Sequence, residues 1–536
     1  MQITKGLKRL SCLLSTFVFM IGFGVFSSDR ALCLDGKRPN ILFAIADDWS
    51  FGHASAYGCR WTDTPNFDEI ARRGLLFTHA YTPNAKCAPS RACILTGRNS
   101  WQLDEACNHV CEFPHYFKSF PEALAENGYR VGMTGKGWGP GNARDAKGKP
   151  RQIAGQPFAK IKHKPPAKGI SNNDYSGNFK SFLAGNQATQ PWCFWYGTTE
   201  PHRGYQWQVG INNAGKKLSD IDVVPSFWPD NEITRTDMLD YAYEVEHFDR
   251  HLGIILDAIK KAGQMENTIV VVTSDHGMPF PRCKGQAYDY SNHVPLAISW
   301  PHGIRKGGRR IEDYVSFVDI APTLIEVAGI SWRASGMQDS PGKSLSDIFR
   351  SEKSGQVNIE RDHVLIGKER HDIGRPDDAG YPIRGIVKNN KLYIKNYTID
   401  RWPAGNPEAG YLNCDGGPTK TNILNRRRES GQDTFWDLCF GKRPEEEFYD
   451  LAADPFCTRN LAVNATYRSD MDALYNQMSS ELLGQKDRRI LGDVNYFENI
   501  PYVNAAQRDF YNRLQRGEKV KAGWVNPTDF EKQKLD

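Results

Sequence analysis

A chain of 536 residues with 12% aromatic side chains can bury a large core, which excludes a disordered protein. The formal net charge of +5 is small for this length, and no Lys/Arg stripe interleaved with aromatics tracks a phosphate backbone, so nucleic acid is excluded as a partner. Twelve cysteines are too sparse for a disulfide scaffold, and the fold must stand on its core.

Lys5, Lys8 and Arg9 precede an apolar run from Leu10 to Phe26, the pattern of an export signal over residues 1–34, with cleavage between Ser27 and Leu34. The run is marginal in length for a membrane span, which leaves an uncleaved anchor as the alternative. Export predicts a secreted, periplasmic or lysosome-like location and permits disulfides. Cys107 with Cys111 and Cys414 with Cys439 are the nearest pairs, although spacing alone does not assign them.

Pro39 to Ala46 is an apolar run that stops abruptly at Asp47-Asp48, as a buried parallel strand does when it delivers polar groups at its carboxyl end. Thr64 and Pro65 start a helix to about Gly74. The alternation recurs as a helix at 120–128 before a strand at 129–133, a strand at 192–197, and a long amphipathic helix at 235–261. A strand at 267–274 then ends at Asp275. Such alternation predicts an α/β fold with a large, mostly parallel sheet flanked by helices.

Around Gly380 the texture changes. Ile383 to Lys388, a turn at Asn389-Asn390, and Lys391 to Lys395 predict an antiparallel hairpin. Residues 35–378 are accordingly read as one domain and 379–536 as a small α+β C-terminal subdomain. Pro403 to Arg428, rich in Gly, Pro, Asn and Arg, reads as a surface loop, and a helix is expected from Ser469 to Leu483.

Chemistry concentrates at Cys87-Ala-Pro-Ser-Arg91, continuing to Leu95-Thr-Gly97. The segment sits where a helix begins, with Pro89 and Ser90 in its first turn, so free N–H groups and a positive dipole end favour a bound anion. Arg91, one turn on, lies within reach of that anion. Asp47, Asp48, Asp275 and His276 follow two strands, and ligand sites of open α/β sheets lie beyond such strand ends. Converging carboxylates call for a hard divalent cation.

The Cys87 segment resembles the signature of the type I sulfatases, Cys-x-Pro-Ser-Arg-x-x-x-Leu-Thr-Gly, at every fixed position. The resemblance implies an alkaline-phosphatase-like fold and oxidation of Cys87 to formylglycine by a formylglycine-generating enzyme. It also implies a calcium ion held by Asp47, Asp48, Asp275 and the 87 and 276 positions. By the same resemblance Lys136, in Thr134-Gly-Lys136-Gly-Trp138, and Lys284 hold sulfate oxygens, and His202, in Glu200-Pro-His202-Arg203, protonates the leaving group.

Glu200 to Arg203, Thr273 to Pro281, Tyr381 to Arg384 and Glu447 to Pro455 are similar to the heparan N-sulfatase branch. That likeness implies hydrolysis of sulfate esters or sulfamates of a sulfated carbohydrate, an N-sulfated glucosamine among them. His53, Arg203, Arg370, His371 and Arg384 are candidate sugar contacts, since Arg suits carboxylated or sulfated neighbours.

Three positions depart from the branch: Glu200 stands for its aspartate, His276 for its asparagine, and Trp138 for the histidine that serves the nucleophile's hydroxyl. His53, His109 and His115 are the sequence-near substitutes for that histidine. The rival readings are a phosphodiesterase or phosphonate hydrolase of the same superfamily, and a secreted glycan-binding pseudoenzyme suggested by Trp138.

Overall fold

A computed structural model describes residues 37–535 apart from residue 188, so the export signal read at 1–34 lies outside the described residues. The principal sheet has eight strands: β1 (Asn40–Ala46), β2 (Leu75–Phe77), β3 (Arg130–Gly135), β4 (Gln156–Pro157), β5 (Trp192–Gly197), β6 (Thr268–Ser274), β7 (Leu296–Ser299) and β8 (Arg309–Ile311). Their spatial order is β8-β2-β7-β6-β1-β5-β3-β4. Every pairing is parallel except those of β7, which runs against both neighbours.

Both faces are covered, which is why β1 reads as a continuous apolar run. Ile41, Phe43 and Ile45 enter one core and Leu42, Ala44 and Ala46 the other, following the two-residue period of a strand. The first face packs α2 (Cys87–Thr96) and α3 (Phe120–Glu126). The second packs α1 (Pro65–Arg73), α4 (Tyr175–Ala184) and the long α5 (Glu232–Lys261), whose Met238, Leu239, Ala242, Val245 and Leu252 face the sheet. Fully burying one such Leu or Val contributes about 1.5–3 kcal/mol.

A second sheet of four antiparallel strands comprises β9 (His363–Lys368), β10 (Ile383–Lys388), β11 (Lys391–Asn396) and β12 (Glu446–Asp450). β10 and β11 form the expected hairpin, and Asn389 and Asn390 both take positive φ at its turn, where asparagine is tolerated. β9 precedes Gly380, the point at which the sequence changes texture.

The stretch from Pro403 to Arg428 is not a surface loop. Ala404, Tyr411, Leu412, Asn413 and Asp415 are buried, and α6 (Pro418–Ser430) follows. Its glycines and prolines mark tight turns through the interior rather than exposure. The expected C-terminal helix is α7 (Arg468–Gly484). Among the described residues no helix is long and apolar enough to cross a membrane, and the ten described cysteines, including both pairs considered, are unpaired.

Candidate active site

Four neighbouring strands, β6, β1, β5 and β3, stop at the same level: Ala46 is in register with Ser274, and Gly135 with Gly197. The residues that follow are therefore brought side by side: Asp47-Asp48, Asp275-His276, Lys136, and the turn from Thr198 to His202. Backbone bonds lock the level, with Asp47 N–H donating to Glu200 O (3.0 Å), Asp275 N–H to Ala46 O (3.2 Å) and Lys136 N–H to Gly197 O (2.7 Å). Gly135 and Gly197 make this approach feasible. A Cβ on Gly135 would stand 1.9 Å from Gly197 O, and one on Gly197 would stand 2.0 Å from Lys136 O.

Cys87 opens α2 and is buried, its Sγ 3.4 Å from His276 Nε2. The helix is held against the strand ends by Ser90, whose hydroxyl donates to Asp275 O at 2.5 Å. Arg91 completes the attachment. Its Nε donates to Asp275 Oδ2 (2.8 Å), one terminal nitrogen to the carbonyls of Lys136 and Gly137 (2.8 and 2.9 Å), and the other approaches Asp47 at 3.4 Å. With these donors engaged, the side chain is fully buried and tied to the carboxylates and carbonyls at the strand ends.

Two lysines flank the thiol. Lys136 Nζ bonds both oxygens of Asp47 (2.8 and 2.6 Å), and Lys284 Nζ bridges Asp48 and Asp415, each at 2.7 Å. Burial alone would lower the Lys136 ammonium, yet Asp47 outweighs it and pushes it up to about 12. Burial and Asp47 push the Cys87 thiol upward, but Lys136 and Lys284 prevail and hold it well below its ordinary value.

Asp415, in the segment misread as a surface loop, stands 3.8 Å from His202 Nε2. Burial opposes its ionisation, and Lys284 overcomes this and holds it at about 2. His202 Nδ1 donates to the carbonyl of Arg203 at 2.6 Å, which leaves Nε2 turned toward the acidic cluster. Lys86, also missed, occupies the N-cap position of α2 and pairs with Asp372 (2.7 Å), which receives His109 on its other oxygen (2.8 Å). Neither Asp415 nor Asp372 carries a periodicity signal, because both sit in irregular segments ordered only by tertiary contacts.

Four of the five candidate sugar contacts are buried, and Arg203 is half-buried. His53 is buried among Trp61, Tyr241 and Tyr290, with Nδ1 3.2 Å from the Tyr241 hydroxyl. Arg384 is fully buried and bonds Asp487 through two nitrogens and Glu369 through one. A buried guanidinium must find such partners, and they hold it inside the C-terminal sheet. Arg370 and His371 are buried as well, the first over the Tyr502 ring and the second bonded to Asn84. Arg203 forms a two-pronged pair with Asp237 (2.7 Å each).

None of the three substitute histidines contacts residue 87. His53 lies in its aromatic cage, His109 on Asp372, and His115 is exposed beside Tyr116. Trp138 donates its indole N–H to Ala88 O at 2.9 Å and stacks edge-on against Phe113, bracing the first turn of α2.

Asp47, Asp48, Cys87, Asp275 and His276 each offer a donor atom, all within 4.8 Å of one another and all buried. Asp48 Oδ1 and His276 Nε2 are buried 3.0 Å apart, so a carboxylate oxygen and an imidazole nitrogen stand side by side as donors that one cation could take up together. The set is dominated by carboxylate oxygens and fits a hard divalent ion, with the His276 imidazole as its one nitrogen.

A doubly covered, mostly parallel sheet that gathers the start of α2 and acidic strand ends at its carboxyl edge has the alkaline-phosphatase-like fold. Residues 39–330 match the profile of the family described as Sulfatase, more than half of the chain. The chain belongs to the sulfatase family and is a sulfuric ester hydrolase.

Human N-sulphoglucosamine sulphohydrolase is 27% identical over 477 residues, 82% of this chain and 89% of that protein. Among solved structures, one in complex with its substrate D-glucosamine-2-N,6-O-disulfate superposes with a TM-score of 0.58 at 20% identity, covering 84% of this chain and 99% of that one. A phosphonate monoester hydrolase of Agrobacterium radiobacter superposes with a TM-score of 0.59 at 19% identity, covering 84% and 96%. These two likenesses describe the fold.

Proposed function

We propose that this chain is an exported, calcium-dependent sulfatase that removes sulfate from a sulfated sugar through a formylglycine made from Cys87 by a formylglycine-generating enzyme. The observation that carries the reading is the placement of Cys87 at the first residue of α2, against the acidic ends of β1 and β6 and between Lys136 and Lys284. Calcium held by Asp47, Asp48, Asp275, His276 and residue 87 supplies charge stabilisation at the sulfuryl oxygens.

Residue 87, as the hydrated aldehyde, attacks sulfur. The bond from sulfur to the sugar oxygen or nitrogen breaks, and the leaving atom takes its proton from His202, which Asp415 orients. The remaining diol hydroxyl then gives its proton to water as the carbon–oxygen bond to the sulfated oxygen breaks, sulfate departs, and water adds to the re-formed aldehyde to restore the diol. Lys136 and Lys284 face the thiol from their carboxylate partners and stabilise anionic oxygens on residue 87. Arg91 and Trp138 hold the frame, so Trp138 is compatible with an enzyme and does not itself argue for a glycan-binding pseudoenzyme.

A sugar fits the opening beside this centre. A cavity of about 630 Å³ is walled by Arg203, Tyr205, Trp207, Asp237 and Gly416, and thus adjoins His202 and Asp415 along the chain. Trp207 is 44% exposed and offers an apolar ring face to a pyranose. The named activity of the human relative makes N-sulfated glucosamine the first substrate to try.

The deciding experiment is sulfate release from a panel of N- and O-sulfated glucosamines, uronates and a phosphonate monoester. The protein is co-expressed with a formylglycine-generating enzyme, and the Cys87 peptide is weighed by mass spectrometry. Release of sulfate by the aldehyde form alone is expected, whereas an active preparation carrying only thiol, or a preference for the phosphonate, overturns the reading.

A further inference from the structure

Away from the catalytic cluster, three imidazoles meet on the opposite side of the β5 turn. His247 and His251 lie one helical turn apart on α5, on the same face. His163 comes from the segment between β4 and α4, which a bridge between Lys162 and Asn173 folds back on itself. The rings are in mutual contact: His163 stacks on His247 with centroids 6.0 Å apart, and His251 stands edge-on to both at 5.6 and 4.7 Å. One nitrogen from each can be chosen so that all three lie within 4.8 Å of one another.

Polar partners already occupy one nitrogen of two of these rings. His163 Nε2 is 3.1 Å from the carbonyl of Ser171, which fixes its proton there and leaves Nδ1 as the free donor. His251 Nδ1 is 3.1 Å from the Ser176 hydroxyl, and that hydroxyl donates to Asp174 Oδ1 at 3.0 Å. Nε2 of His251 is therefore the atom left over. His247 is buried, and its Nε2 has no hydrogen-bond partner at all.

An orphaned buried ring nitrogen costs about 1–3 kcal/mol, and two further nitrogens aimed at the same point make the arrangement a donor set rather than packing. Outer partners that pin the far nitrogen of a ring are what metal-bound histidines have.

We propose that His163, His247 and His251 form a second metal site, specific for zinc or a similar transition ion, that clips the segment carrying His163 to the long helix α5. Three imidazoles and no carboxylate are a poor set for calcium and a good one for zinc. Tetrahedral zinc with bonds of about 2.0–2.1 Å needs nitrogens roughly 3.4 Å apart, so each pair has at most about 1.4 Å to close. His163 is half-buried, which leaves the fourth position open to water.

The clip bears on the reaction centre through Glu200. Ser171 N–H and the Tyr175 hydroxyl both donate to its carboxylate at 2.8 Å, and Glu200 O receives Asp47 N–H. Fixing the 163–175 segment therefore fixes the turn that carries His202.

The test uses calcium-saturated full-length protein, titrated with zinc by calorimetry and with cobalt by absorption spectroscopy. The wild type is compared with His163→Gln, a half-buried change outside any helix, and with His247→Gln. One zinc per chain beyond the calcium, a tetrahedral cobalt spectrum, and a zinc-dependent rise in Tm are expected in the wild type. Each variant should bind zinc at least roughly a hundredfold more weakly. Zinc uptake and Tm response identical in wild type and His163→Gln would overturn the site, as would an octahedral cobalt spectrum unchanged by either substitution. Neither outcome depends on sulfate release, so the site and the sulfatase reading fail separately.

Discussion

The carboxylate of Asp415 lies 3.8 Å from Nε2 of His202, with Lys284 between it and Asp48. The pairing joins the segment carrying Asp415 to the turn after β5, so His202 and the acidic cluster share one ionic chain. A histidine oriented in this way matters most when the leaving group is poor.

His202→Ala should lower the rate on a sulfated sugar by about 10²–10⁴. An aryl sulfate, whose leaving oxygen needs little protonation, should lose far less. Asp415→Asn should show the same selectivity at roughly a tenth of that effect or less, since it disturbs orientation only. Measuring kcat/KM on both substrate classes checks this, and equal losses on the two would remove His202 from the proton-donor role.

Cys87→Ala should fold and release no sulfate. The side chain is small and its hydrogen-bond contact is the long one to His276, so the change in Tm should correspond to about 1 kcal/mol or less, measured by thermal melting beside the sulfate assay. Retained turnover would show that another group is the nucleophile.

Chelation should remove calcium and activity together, and calcium should restore activity better than zinc, because Asp47, Asp48 and Asp275 offer hard oxygens. Calcium at a hundred times its dissociation constant should add about 2.7 kcal/mol of stability. Elemental analysis beside the assay decides the point, and full activity in metal-free protein would refute it.

Arg384→Ala should destabilise the fold by about 3–5 kcal/mol, because it strands Asp487 as a buried charge, whereas Glu369 keeps its pair with Arg489. Activity per folded molecule should stay within about twofold at a temperature where the variant is folded. A large rise in KM with unchanged stability would instead return Arg384 to the role of sugar contact.

His53 gives the fold a pH dependence with a definite sign. Burial lowers its pKa from 6.5 to about 3, so between those values the unfolded chain binds a proton that the folded chain refuses. Stability from this group is complete above pH 6.5 and is lost as pH falls, by up to about 1.4 kcal/mol per pH unit. Urea midpoints from pH 7 to 4 should show this slope, reduced by that amount in His53→Gln.

The sequence by itself determined the class of fold and the inner site. Apolar runs that end in Asp47-Asp48 and Asp275 are strands buried on both faces, and buried strands write their ends plainly. The Cys87 segment carries its own helix start, so the opening of α2 was legible from local pattern.

Only the tertiary structure decided the outer groups. Asp415 and Lys86 are ordered by contacts distant in sequence, and a Gly- and Pro-rich stretch reads the same whether its turns run outside or through the core. Arg384 and Arg203 look like free cations in a sequence, but burial compels a guanidinium to find carboxylates, and these come from Asp487 and Asp237 on other elements. The meeting of His163 with His247 and His251 has the same origin: helical spacing announces the pair on α5, while the third ring arrives through a fold-back that no local periodicity encodes.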